Sequence, residues 1–112
     1  MSKISSRPDS RYNRTALELL ATSIRSERLR QKLTAQELAE RAGISRSMLQ
    51  RIEKADPACA IGAVFEVATI LSIPLFEEDP AALGRALATA KQTLALLPKS
   101  ARKPRPEVDD DF

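Results

Sequence analysis

The sequence predicts an all-α fold of five helices with an irregular segment at each end. Three observations carry that prediction. Apolar side chains recur three and four residues apart in separate stretches, the spacing of one helical face. Helix-start signals stand in front of most of these stretches: Thr15 with Glu18, Thr34 with Glu37, Ser45, and Asp79 with Pro80. Breakers follow them, namely Gly43, the Asp56-Pro57 pair and Pro74. At 112 residues the chain has room for one domain plus tails.

Residues 1–14 carry Lys3, Arg7, Arg11 and Arg14 against Asp9 alone, and Ser5, Ser6 and Pro8 oppose regular structure. The segment reads as a mobile basic arm, either a plain disordered start or a contact for phosphates or a minor groove. The folded domain is expected over residues 15–78. Its first helix should begin at Thr15, which has the S/T-x-x-E spacing of a capping box with Glu18, and run to about Lys32. Leu17, Leu20, Ala21, Ile24 and Leu29 form its inward stripe, with Arg25, Arg30 and Lys32 in solvent. Arg28 falls on or near the inner face, where a charge is costly unless it is met.

A second capping box, Thr34 with Glu37, opens a short helix that buries Leu38 and Ala39. Gly43 stops it, because glycine takes the left-handed conformation at no steric cost. Ser45 caps a third helix, whose Leu49 and Ile52 share one buried face. Opposite them Arg46, Ser47, Gln50, Arg51 and Lys54 form a polar stripe. A short helix braced from behind, with hydrogen-bonding side chains in front, suits a DNA major groove. The plainer alternative is a helical hairpin with a solvated charged face.

Asp56 and Pro57 force a loop, and a fourth helix follows from about Ile61 to Ser72, with Val64, Val67, Ala68 and Leu71 inward and Phe65 near the edge. Pro74 ends that run. The acidic Glu77, Glu78 and Asp79 precede a fifth helix over residues 79–97, with Asp79 as cap and Pro80 first. Leu83, Leu87, Ala90, Leu94 and Leu97 make a seam of two heptads along it. That seam either folds back on its own domain or meets a second copy in a homodimer, and a reader built on one short helix gains affinity from the second arrangement. Residues 98–112 have no periodicity, run basic to acidic through Pro104 and Pro106, and read as disordered alone. At their end Phe112 stands behind Asp109, Asp110 and Asp111, next to Val108, a form suited to docking on a partner.

Composition narrows the function classes. There is no histidine and Cys59 is the only cysteine, so no zinc finger, metal site, intrachain disulfide or histidine-based triad is expected. No cluster of nucleophile, base and orienting group can be named, so neither an enzyme nor a cofactor is expected. The first fourteen residues lack an apolar segment and no run nears the roughly eighteen residues of a membrane span, so a cytoplasmic protein with no membrane contact is expected. Net charge +3 and a pI near 9.4 favour a polyanionic partner mildly.

From Leu20 to Leu75 the chain resembles the Cro/repressor (XRE) helix-turn-helix family. Small Ala39, turn Gly43, and apolar Leu49 and Ile52 carry the resemblance: close helix approach, the turn, and a locked crossing. It implies a Cro/C1-repressor-like domain on double-stranded DNA. It also implies that Arg28 pairs with Glu53 late in the recognition helix. Two positions depart from the pattern. Ala35 stands where relatives often have a glutamine contacting phosphate or base, and Gln36, about 100° round the helix, is the candidate to replace it. Ala55 stands where many relatives have glycine, so the recognition helix is expected to end less sharply.

The ADP loop, the segment IGAVFEVATILSIPLF, the leucine-rich helix and the KPRPEVDDDF end resemble the HipB-type antitoxins. That resemblance implies a dimer that represses its own operon from a palindromic operator and neutralises a HipA-like kinase toxin. Two further readings stay open. One is a free-standing repressor with an inert tail, the other an interaction module whose basic face is incidental.

Overall fold

Five helices, and no strand among the described residues, make up the computed structural model, which describes residues 10–101. They are α1 (Arg11–Arg30), α2 (Ala35–Ala42), α3 (Arg46–Glu53), α4 (Ile61–Ile70) and α5 (Pro80–Ala95). The chain divides into two compact units, Met1–Leu75 and Phe76–Phe112.

In the first unit α2 packs on both α3 and α4, and α1 packs on α3. Their shared core is Ile24, Leu38, Ala39, Leu49, Ile52, Val67 and Leu71, all buried. Ala39 is small enough to let α2 and α3 approach closely, and Ile24 and Leu49 are wholly buried. Phe65 lies at the half-buried edge, as its position on α4 predicts.

α1 departs from the sequence expectation at its start. The cap is Ser10, whose Oγ accepts the Asn13 N–H at 3.2 Å. The Thr15–Glu18 box is not the start, and Arg11 and Arg14 belong to the first helical turns instead of a mobile arm. Once Ser10 has supplied the nucleus, extension through Tyr12 and Asn13 meets no breaker and adds a hydrogen bond per residue. Lys3 and Arg7 lie outside the described residues. Leu29 is also corrected: it is 55% exposed, and Arg28 takes its expected place in the core stripe. Four residues from Ile24 lead about 40° off the stripe, whereas five lead about 140° off it.

The four helices of the first unit end alike. Each closes with a residue in the left-handed region: Lys32 (φ 60°), Gly43 (φ 69°), Ala55 (φ 62°) and Ser72 (φ 63°). At each, two reversed backbone bonds satisfy the last carbonyls. For α3 these run from Ala55 N–H to Ile52 O and from Asp56 N–H to Arg51 O, both 3.1 Å. Three of the four are not glycine. α3 therefore ends in a sharp turn despite Ala55, against the expectation of a looser end.

In the second unit, Asp79 caps α5 by accepting the Ala81 N–H at 3.3 Å, with Pro80 in the first turn, as the sequence predicts. No residue of α5 is buried. Leu83, Leu87, Ala90 and Leu94 are exposed along it. Leu97, counted in the seam, lies beyond the helix end and its N–H donates to Leu94 O at 3.1 Å.

Candidate nucleic-acid interface

The capped turn between α2 and α3 sets how α3 is presented. Thr34 Oγ1 accepts the Glu37 N–H at 3.0 Å while Glu37 Oε1 accepts the Thr34 N–H at 2.8 Å. That second bond holds the Glu37 carboxyl below the usual carboxylate range. Gly43 turns the chain, and Ser45 Oγ accepts the Met48 N–H at 3.0 Å to start α3. Leu49 and Ile52 face the core on one side of α3. On the other side Arg46, Ser47, Gln50, Arg51 and Lys54 are all exposed.

Beneath this surface lies the Arg28–Glu53 pair. Arg28 Nε donates to Glu53 Oε2 at 2.7 Å and Nη2 to Oε1 at 3.0 Å, with both side chains about nine-tenths buried. Nη1 donates to Leu33 O at 3.0 Å, so every guanidinium nitrogen is used. The Glu53 bond raises the Arg28 guanidinium above its ordinary value, against the opposing effect of burial. With its charge met, Glu53 offers little repulsion to an approaching anion.

The pair forms the floor of an open cleft of about 630 Å³ between the C-terminal half of α1, the start of α2 and α3. Arg25, Lys32, Ala35, Arg46, Gln50 and Lys54 stand around it. Sequence reasoning left Arg25 and Lys32 as plain solvent charges. Arg25 lies one turn before Arg28 on the same flank of α1, which was the available signal, whereas Lys32 reaches the cleft from the left-handed turn beyond the helix end.

Two side chains are engaged locally. Gln36 donates to Glu40 Oε2 at 3.0 Å on its own helix and is not among the residues lining the cleft, whereas Ala35 is. Arg51 Nε donates to Asp56 Oδ2 at 2.9 Å. Asp56 Oδ1 in turn accepts the Ala58 N–H at 2.9 Å. The Ala58 N–H, and after it Arg51, lower the Asp56 carboxyl from its usual range, and Asp56 raises Arg51. This partner of Arg51 was missed because Asp56-Pro57 was read only as a loop former.

The tail residues Val108, Asp109, Asp110, Asp111 and Phe112 lie outside the described residues. Among the described residues no helix is long and apolar enough to cross a membrane. Residues 24–77, just under half the chain, match the model of a family described as helix-turn-helix, of the XRE type. No curated protein matches the chain. The matched segment holds α2 to α4 and the C-terminal end of α1, and so contains every element around the cleft. The matched segment is thus similar to a helix-turn-helix domain.

Proposed function

We propose that the chain is a sequence-specific DNA-binding antitoxin. It dimerises through the α5 seam (Leu83, Leu87, Ala90, Leu94 and Leu97), represses its own operon from a near-palindromic operator, and holds a HipA-like serine/threonine kinase inactive. One observation carries the DNA-reading core of this proposal: α3 buries Leu49 and Ile52 completely or nearly so while its opposite stripe stays exposed.

Arg46, Ser47, Gln50 and Arg51 are the base-reading set. Arginine pairs bidentately with guanine and glutamine with adenine, each worth roughly 1–3 kcal/mol of discrimination. Lys54 and Ser45 hold phosphates and set the register. The Ser45 oxygen already accepts a backbone N–H, so its own O–H is the group it offers. Arg25 and Lys32 join them as phosphate contacts at the cleft. Gln36 is a marginal member, since it must release Glu40 to reach DNA.

The antitoxin half of the reading rests on the composition of the tail and on the resemblance of the chain's C-terminal half. A free-standing repressor is the second reading, supported by the placement of the whole base-reading set in the Met1–Leu75 unit.

The test is a binding survey in which each operator base pair is substituted in turn. Arg46→Ala and Gln50→Ala should relax preference at a few positions, and Lys54→Ala should weaken all sequences alike. Uniform loss in Gln50→Ala would overturn the assignment.

A further inference from the structure

The end of α3 differs from the three helix ends that share its geometry. Directly after the left-handed residue, the other turns place Leu33, Ile44 and Ile73, all apolar and packed against the core. That contact is the usual companion of this type of helix end. After α3 the same position holds Asp56, and its side chain turns to Arg51.

The carboxylate is fixed from both sides. Its Oδ1 takes the Ala58 N–H and its Oδ2 takes Arg51 Nε, each at 2.9 Å. Its own backbone N–H donates to the Arg51 carbonyl at 3.1 Å, so the turn itself sets one residue against the other. The Arg51 side chain remains 45% exposed. A guanidinium held through Nε still has both terminal nitrogens available, and those form the fork that meets the O6 and N7 of guanine.

We infer that Asp56 is a positioning residue for Arg51, aiming that fork at one guanine of the bound DNA. The inference rests on the proposed reading of bases by α3. Its physical content is twofold. An exposed arginine samples many rotamers, and Asp56 restricts them before DNA arrives. Asp56 also repels phosphates, so it weakens binding to any sequence while sharpening one base choice. Removing it should move those two quantities in opposite directions, which a residue that merely closes a loop would not do.

The experiment uses the full chain and a duplex selected by it from a random pool, with every base pair then substituted singly. Wild type should show a guanine preferred roughly tenfold or more at a position where Arg51→Ala shows none. Asp56→Ala and Asp56→Asn should reduce that preference to about threefold or less, leave other positions unchanged, and bind an unrelated duplex more tightly. Asn retains an acceptor for the Ala58 N–H, so it carries the test if Ala fails to fold in urea titration. Arg51→Ala combined with Asp56→Ala should show the same base preferences as Arg51→Ala alone, with tighter binding to every duplex.

Full guanine preference in both Asp56 variants overturns the inference and leaves base reading by α3 intact, as does an even loss across all positions. An unchanged profile in Arg51→Ala removes Arg51 from the base readers, and this inference with it. If no sequence is enriched from the pool, the reading of α3 itself fails and the inference falls too.

Discussion

Arg28 and Glu53, 25 residues apart in sequence, close a two-pronged ion pair that joins α1 to α3 beneath the exposed face. The third guanidinium nitrogen holds the Leu33 carbonyl in the turn leading to α2. Glu53→Gln leaves a cation about nine-tenths buried without its counter-charge and should cost about 3 kcal/mol in urea unfolding. Replacing both partners, Arg28→Met with Glu53→Leu, should cost far less than Glu53→Gln alone. An unchanged midpoint in Glu53→Gln would show that the pair contributes nothing.

Ala55 sits at φ 62° at the end of α3, a conformation that costs an L-residue roughly 1–2 kcal/mol. Ala55→Gly removes that strain but adds chain entropy to the unfolded state, worth roughly 0.4–1 kcal/mol. The net should be a stabilisation of about 0.5–1 kcal/mol. Gly43→Ala should destabilise by a similar amount for purely conformational reasons, since nothing lies within 4 Å of the added Cβ. Chemical denaturation of the two variants side by side measures both signs.

Acid should weaken the start of α2. The folded Glu37 carboxyl sits below the usual range because it accepts the Thr34 N–H. Its contribution is therefore complete above the unfolded value of about 4.3 and is lost as pH falls through the lower folded value. Asp56, held down by the Ala58 N–H and by Arg51, acts in the same direction. Glu37→Gln keeps an acceptor for the N–H but cannot titrate, so urea midpoints measured from neutral pH down to 3 should fall less steeply than in wild type.

The leucine seam predicts the state of assembly. Leu87→Lys with Leu94→Lys in the full chain should sediment as a monomer and bind operator at least tenfold more weakly, because two recognition helices no longer lie about 34 Å apart. A chain cut after Glu78 should behave likewise. Sedimentation of either variant as a dimer would place the interface elsewhere.

Deleting Val108–Phe112 separates the antitoxin from the free-standing repressor. Three successive aspartates are repelled by DNA, so operator affinity should hold. On the antitoxin reading, capture of a kinase encoded beside this chain should weaken modestly, because the tail would add to a larger interface formed by a folded dimer. Co-purification of both forms with that kinase is the measurement. Retention by neither leaves the repressor reading.

What was legible in the sequence were the features written in local chemistry. Thr34 with Glu37, Gly43, Ser45, and Asp79 with Pro80 each mark a helix boundary by a side chain that bonds the backbone or permits its turn. The core faces of α3 and α4 followed from apolar spacing. The start of α1 was misread because Ser10 and Thr15 both offer a cap, and the choice between them depends on how far the helix can extend. The sharp ends at Lys32, Ala55 and Ser72 were invisible for another reason. A glycine search finds turns where the backbone is free, whereas at Lys32 and Ser72 the packing of Leu33 and Ile73 on the core drives an ordinary residue into the same conformation. Asp56 was seen only as a breaker, because its bond to Arg51 depends on that unforeseen turn at Ala55.

Gln31 and Leu71 lie 40 positions apart, yet the Gln31 Nε2 donates to the Leu71 carbonyl at 3.0 Å. The carbonyl belongs to the residue that caps α4, and the amide to the residue that caps α1. The first and last helices of the unit are thus joined at their closing ends, and fraying of either one breaks the bond they share. In hydrogen exchange the amides of Leu33 and Ile73, which seal those two ends, should open in one shared event with one free energy. A Gln31→Ala chain should split that event into two, and the faster of them would mark which helix the domain sheds first.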